Sequence, residues 1–163
     1  MKQKSHYKHC IRKLGELTGY KNNPRLHSNA QVDQLVESIK VFGFTNPILI
    51  DPKNNIIAGH GRLEAATKAG LENVTCVVID GLTKTQQRAL IIADNQLALN
   101  ADWDIELLMQ EIDELESEDF DISLLGFDPD FLAAAVEGPP EDFGDIDEID
   151  LSNTCPKCGF EYD

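Results

Sequence analysis

The chain has 163 residues, is 42% hydrophobic and carries a formal net charge of −15, which suits one domain with appendages. It contains no run of about 18 apolar residues, so no membrane-spanning helix is expected. Cations without an apolar stretch before Cys10 argue against a secretory signal, and the cytoplasm is the expected compartment. The charge is split: residues 1–100 hold 13 Lys and Arg against 8 Asp and Glu (net +5), and residues 101–163 hold 1 against 21 (net −20). A mildly basic working domain followed by an acidic tail is the natural reading. The tail is expected to keep the protein soluble, to bind a basic partner, or to mimic nucleic acid.

Residues 1–15 bear Lys2, Lys4, Lys8, Arg12 and Lys13. They read as a flexible arm that touches phosphates or as a solvated terminus. Asn22-Asn23-Pro24-Arg25 is turn-like, because Asn23 before Pro24 avoids the helical region. Ser28-Asn29-Ala30-Gln31 matches a capping box. Val32, Leu35, Val36, Ile39 and Phe42 then form one apolar helical face that ends at Gly43. Pro47–Ile50 reads as a strand, residues 51–55 as a turn, and Ile56–Ala58 as a strand pairing back. A helix follows with Leu63, Ala66 and Ala69 on one face, closed by Gly70.

Val74–Ile79 is the strongest strand pattern and suggests burial on both faces, with Cys76 as a small core residue. Thr83–Gln86 is a second capping box, opening a helix expected to run to about Ala93 and to end in Asp94-Asn95. Asp102 is expected to cap a further helix with Ile105, Leu108, Met109, Ile112 and Leu115 inward, and Trp103 to pack against the domain. Asp121 and Gly126 bracket a one-turn helix, and Asp128-Pro129 starts another. Pro139–Asp150 is acidic and aperiodic, as in a linker. Of the four cysteines, Cys10, Cys76, Cys155 and Cys158, only the last two have a suggestive spacing. Cys155-Pro156-Lys157-Cys158-Gly159 has the form of half a zinc knuckle, with Cys155 and Cys158 as candidate Zn²⁺ ligands and two ligands still to be supplied.

The stretch of greatest chemical interest is Ile57-Ala58-Gly59-His60-Gly61-Arg62. Gly59 and Gly61 allow a sharp turn and close backbone approach. The N–H groups of the following helix point into that turn, a setting suited to phosphate. Arg62 adds a positive fork, and His60 a group that titrates near neutral pH. The same glycines also serve helix–strand packing alone.

Taken together, four ordered segments carry a resemblance: Asn22–Arg25, Phe44-Thr45-Asn46-Pro47-Ile48-Leu49-Ile50, Ile57–Arg62, and Ile92-Ala93-Asp94-Asn95. Over roughly residues 11–100 the chain resembles the ParB N-terminal domain, the domain of ParB partition proteins, ParB-like nucleases and sulfiredoxins. It is most similar to the branch common in bacteriophages and mobile elements, often linked to DNA methyltransferases and DNA modification. The resemblance implies an α+β, ParB/sulfiredoxin-like fold, a small mixed sheet with flanking helices, followed here by acidic C-terminal helices. The implied division is a ParB-like domain over 1–100, an acidic helical extension over 101–138, an acidic linker over 139–154 and a zinc-knuckle-like tail over 155–163.

By the same resemblance Arg25, Gly59, Gly61, Arg62 and Asn95 bind phosphate of a nucleotide such as CTP or ATP. Asp94 acts with Mg²⁺, and His60 serves as acid or base. The family's glycine-arginine box has Glu and Arg where this chain has His60 and Gly61. Sulfiredoxin chemistry is not expected, because His60 stands where a cysteine is needed. No counterpart of the partition protein's helix-turn-helix or dimerisation domain, nor any methyltransferase motif, is expected.

Three functions follow from these readings. The first is a ParB-like nucleotide-binding domain with weak NTPase or nuclease activity in a bacterial or phage-infected cell. The second is a non-catalytic DNA-binding adaptor that recruits a methyltransferase or packaging protein through its acidic helices or tail. The third is a DNA mimic led by the acidic half. DNA is the expected partner, a homodimer a further one, and a membrane is not.

Overall fold

The computed structural model describes residues 7–137, 153–154 and 161–162. They fall into two compact units, one ending at Gly126 and one starting at Phe127. The first unit is built on a four-stranded sheet: β1 (Tyr7–Lys13), β2 (Ile48–Ile50), β3 (Ile56–Ala58) and β4 (Asn73–Ile79). Their spatial order is β1-β4-β2-β3. β1 runs antiparallel to β4, β2 runs parallel to β4, and β3 runs antiparallel to β2. The expected small mixed sheet with flanking helices is therefore present.

The basic N-terminal segment differs from expectation. From Tyr7 onward it is an edge strand in register with β4, Cys10 opposite Cys76. Its residues alternate only weakly, so the pairing is a gain from the distant β4 strand that no local pattern announces. β4 is buried on both faces over its second half, as its apolar run suggests, and one-sided only at its start. Asn73 and Thr75 are exposed, while Val74, Cys76, Val77 and Ile79 are buried. Cys76 is a core residue as expected, and burial raises its thiol pKa.

Helices α1 (Asn29–Phe42), α2 (His60–Lys68), α3 (Lys84–Ala98) and α4 (Ile105–Ser117) complete this unit with short 3-10 turns at Leu14–Glu16 and Ile122–Leu125. One core layer joins Ile48, Ile50, Ile56, Val74 and Cys76 of the sheet to Ala66 of α2. A second packs Val32 and Val36 of α1 on Ala65 of α2, with the Lys68–Asp33 ion pair joining the two helices. A third places Ile91 of α3 against Ile57 and Ile79. Asp51 is buried but satisfied: its carboxylate accepts from the Lys53 and Asn55 backbone N–H groups and from Asn55 Nδ2, fixing the β2–β3 turn.

The helix ends carry most of the departures from expectation. Ser28 caps α1 by accepting from Gln31 N, but the Gln31 side chain does not return to the cap. Its Oε1 instead meets His27 Nδ1 at 2.9 Å. Thr83 and Gln86 do form the complete reciprocal box. α3 continues through Asp94 and Asn95 to Ala98. Nothing between Ala93 and Ala98 breaks a helix, and Asn95 Nδ2 donates back to Ile91 O at 2.7 Å. The α4 cap is Asp104, not Asp102: its carboxylate accepts from Leu107 N, three residues on. Trp103 keeps 62% of its surface exposed. The Asp121–Gly126 turn has the expected form, with Gly126 in the left-handed region.

In the second unit, α5 (Pro129–Glu137) starts at Pro129, with Asp128 accepting from Asp130 N. Residues 153–154 and 161–162 pair as antiparallel strands β5 and β6. The remainder of the expected acidic linker and the Cys155–Cys158 motif lie outside the described residues. Among the described residues no helix is long and apolar enough to cross a membrane.

Ile48 is fully buried at the centre of the first core layer. Ile48→Ala is expected to cost about 2–5 kcal/mol, read as a lowered urea midpoint with an unchanged slope.

Candidate phosphate-binding loop

The loop is set by one backbone conformation. Gly59 ends β3 and begins α2 with φ 101° and ψ 28°, in the left-handed region, which a side chain with Cβ adopts at a cost. An added Cβ would also meet Arg62 Nε at 3.2 Å, Nη2 at 3.3 Å and Ile48 Cγ1 at 3.3 Å. The Arg62 guanidinium therefore lies folded over the glycine. Since Gly59 has no side chain to cap α2, the first N–H groups of the helix face the loop without a side-chain acceptor from the cap.

Gly61 has a different reason. Its φ is ordinary, but a Cβ there would sit 3.0 Å from His27 Cε1 and Nδ1. The imidazole of His27 lies on the glycine backbone, held by Gln31, so Nδ1 carries its proton toward the amide oxygen. His60, the first residue of α2, points to the stretch before α1. Its Nε2 accepts from Tyr20 N–H at 3.0 Å. Burial first, and then the nearby His27, lower the His60 pKa, with Glu64 opposing. His60 is thus a neutral acceptor that ties Gly19-Tyr20 to the loop.

Asp94 is exposed on α3 and close enough to Arg62 to raise its pKa, against a larger lowering by burial. Arg62 nonetheless stays charged. The side-chain ion pairs among the described residues are Lys40–Glu37 and Lys68–Asp33, so Arg62 and Asp94 interact without closing to a salt bridge. Arg25, on the loop before α1, and Asn95, on α3, line a shallow hollow of about 150 Å³ with Pro24, Ile92, Gln96 and Leu99. Asn23 positions Arg25 by bonding both its N–H and its carbonyl.

The structure thus groups Gly59, Arg62 and Asp94, and separately Arg25 with Asn95, joined through consecutive residues of α3. Tyr20 and His27 were not singled out by pattern, and Gln31 only as a capping-box residue. They act through contacts across the loop, which no local pattern announces. Among the described residues no three His, Cys, Asp or Glu side chains gather to hold a metal ion. One carboxylate beside an amide fits a Mg²⁺ that takes its other ligands from water and phosphate.

Residues 5–96, more than half of the chain, match the model of the ParB N-terminal domain. Residues 106–156 match that of the ParB-methyltransferase HTH domain. The expectation that no helix-turn-helix counterpart exists is corrected by this second match. The acidic composition of this stretch gave no such signal, since helix-turn-helix domains are ordinarily sought among basic residues.

The chain is 54% identical over 77 residues to the ParB-like nuclease domain-containing protein YnaK of Escherichia coli (strain K12), covering 47% of this chain and 88% of that protein. It is 33% identical over 84 residues to the nucleoid occlusion protein of Bacillus cereus (strain B4264), covering 48% of this chain but 29% of that protein. Among solved structures, C-terminally truncated ParB from Caulobacter crescentus complexed with CTP-γ-S superposes with a TM-score of 0.55 at 21% identity. That match spans 80% of this chain and 86% of that one. A Pnob8-like ParB-N domain gives a TM-score of 0.50 at 16% identity, over 71% and 50% of the two chains. Both show the shared fold.

Two outcomes are expected. Gly61→Ala is expected to push the His27 ring aside at a cost of about 1–3 kcal/mol, offset by about 0.5–1 kcal/mol of helix propensity, so that a net loss of up to about 2 kcal/mol is seen by chemical denaturation. For His60, the folded pKa lies below the unfolded value near about 6.5. The unfolded state therefore binds more protons as the pH falls, and the contribution of His60 is present above that value and lost through the lowered folded pKa. His60→Gln keeps an acceptor for Tyr20 N–H but cannot titrate. The difference between wild-type and variant stability is expected to shrink below neutrality, measured by unfolding at a series of pH values.

Proposed function

Because the chain belongs to the ParB N-terminal domain family, we propose that its Gly59–Arg62 loop binds the phosphates of a nucleotide, CTP or ATP, within a protein of DNA metabolism. The observation that carries this reading is the left-handed Gly59 under the half-buried Arg62 guanidinium, which forms no salt bridge among the described residues, at the N-terminus of α2. Backbone N–H groups, a helix dipole and a preset fork converge on one space suited to an oxyanion. Arg25 and Asn95 would extend the phosphate or sugar contacts.

Mg²⁺ would be held between Asp94 and the phosphate oxygens, and would offset their charge. His60 has a catalytic part only if it releases Tyr20, because its Nε2 is engaged in the resting fold. Weak NTPase or nuclease activity fits the family and the name of the Escherichia coli relative. The CTP analogue carried by the Caulobacter ParB is consistent with a nucleotide site in this fold.

A second reading is favoured by the match over residues 106–156. In it the chain is a non-catalytic DNA-binding adaptor that recruits a methyltransferase or packaging protein. The exposed acids of α4, Glu106, Glu111, Asp113, Glu114 and Glu116, would form its protein-facing surface. The division into a ParB-like domain over 1–100, a helical extension over 101–138, a linker over 139–154 and a Zn²⁺-binding tail with Cys155 and Cys158 belongs to this reading, as does a homodimer.

Calorimetric titration with CTP, ATP and GTP in Mg²⁺ separates the two. One nucleotide is expected to bind, and Arg62→Ala to weaken it by about 1.5–3 kcal/mol, the worth of a charge-assisted hydrogen bond. No binding by any nucleotide at millimolar concentration would leave the adaptor reading.

A further inference from the structure

A separate cleft of about 810 Å³ opens between two walls that hold none of the loop residues above. One wall is the Thr18–Asn22 stretch together with the β2–β3 turn. These are stitched by Thr18 N to Asn54 O at 3.0 Å and Ile56 N to Thr18 O at 2.9 Å. The other is the end of β4 and the first half of α3. Lys21 and Lys53 stand on the first wall, Lys84 and Arg88 on the second. All four are exposed, and none joins a side-chain ion pair among the described residues.

The two acids of the cleft do not neutralise them. Asp51 and Asp80 keep their charge but form no ion pair with the four among the described residues, so the cations outnumber the acids by two: Asp51 is tied into its own turn, and Asp80 accepts from Gly81 N at 2.7 Å. The floor is apolar, with Ile57, Ile79 and Ile91, and is flanked by the half-buried Tyr20 ring and the amides of Asn22 and Gln87.

Four unpaired cations facing each other across an apolar, partly aromatic floor match one chemistry well. A single nucleic-acid strand presents regularly spaced phosphates along its edge and a flat apolar base between them. A duplex is too wide to enter a cleft of this volume, and a free mononucleotide leaves one bank of cations without a phosphate. We infer that this cleft is a groove for a single-stranded nucleic acid, with Lys21, Lys53, Lys84 and Arg88 along its phosphates. It is distinct from the nucleotide loop, although the Thr18–Asn22 wall is tied to that loop through Tyr20 N–H and His60.

The test is fluorescence anisotropy of a labelled twelve-residue oligo(dT) with the full chain over a range of salt. Three proteins are compared: wild type, Lys53→Glu/Lys84→Glu/Arg88→Glu, and Lys40→Glu/Lys68→Glu, which changes charge outside the cleft. Circular dichroism melting confirms that each is folded. The cleft variant is expected to lose at least about tenfold in affinity and to flatten the log-affinity against log-salt slope by about two, the share of three phosphate contacts on a single strand. The off-cleft variant is expected to stay near wild type.

Arg62→Ala is expected to keep oligonucleotide binding while losing nucleotide, so failure of the groove and failure of the nucleotide loop are read separately. Equal weakening by the two charge variants overturns the groove, as does full binding by the cleft variant or no binding by wild type at low salt. Competition by polyglutamate as effective as that by unlabelled oligo(dT) also overturns it, since the cleft would then be an acidic-peptide site.

Discussion

The backbone turn at Gly59 is the constraint on which the site depends. β3 must end and α2 must begin within one residue, because Ala58 is still paired in the sheet and Leu63 N already bonds Gly59 O. Only a positive φ turns the chain that sharply, and only a residue without Cβ leaves room for Ile48 beneath it and the Arg62 guanidinium above it. The geometry that places an arginine over a free helix N-terminus is therefore the same geometry that lets α2 bury Ala65 and Ala66 against α1 and the sheet. Packing and the proposed anion recognition rest on one turn.

Around that turn the histidines act as struts. His27 closes on the Gly61 backbone and is held from α1 by Gln31. His60 reaches back to the Tyr20 amide. Both are half-buried side chains that join segments distant in sequence. Desolvation favours the neutral form of His60, the form its hydrogen bond requires. The chain before α1 is thereby fixed relative to the phosphate loop, and one side of that chain carries Arg25 while the other walls the cationic cleft.

α3 is attached differently. Its buried contact is centred on Ile91, while Ile92, Leu97 and Leu99 remain well exposed toward its C-terminal end. The helix still brings Asp94 toward Arg62 and Asn95 toward Arg25, so both halves of the candidate site rely on a helix held mainly by its first half. Local opening costs least where buried apolar contacts are few, and the C-terminal half of this helix has few.

Much of this architecture was legible in residue patterns. The α1 face, the Gly43 and Gly126 ends, the Thr83–Gln86 box, the β2–β3 hairpin and the buried Cys76 each follow from short-range chemistry: periodicity, a capping hydroxyl, or a glycine where φ is positive. The glycine-arginine loop stood out for the same reason. What lay beyond reach depended on partners far along the chain. β1 becomes a strand only because β4 offers it a ladder. The Gln31 amide leaves its capping box because His27 competes for it. His60 becomes an acceptor for Tyr20, and the four cations of the cleft converge from two loops and the start of α3, segments about 30 to 70 residues apart in sequence. By itself the sequence determined where elements start, which faces are apolar and that a phosphate-suited loop exists, because those depend on neighbours within a turn or two. Only the tertiary structure decided which side chains meet, since long-range contacts are settled by competition among all the surfaces that folding brings together.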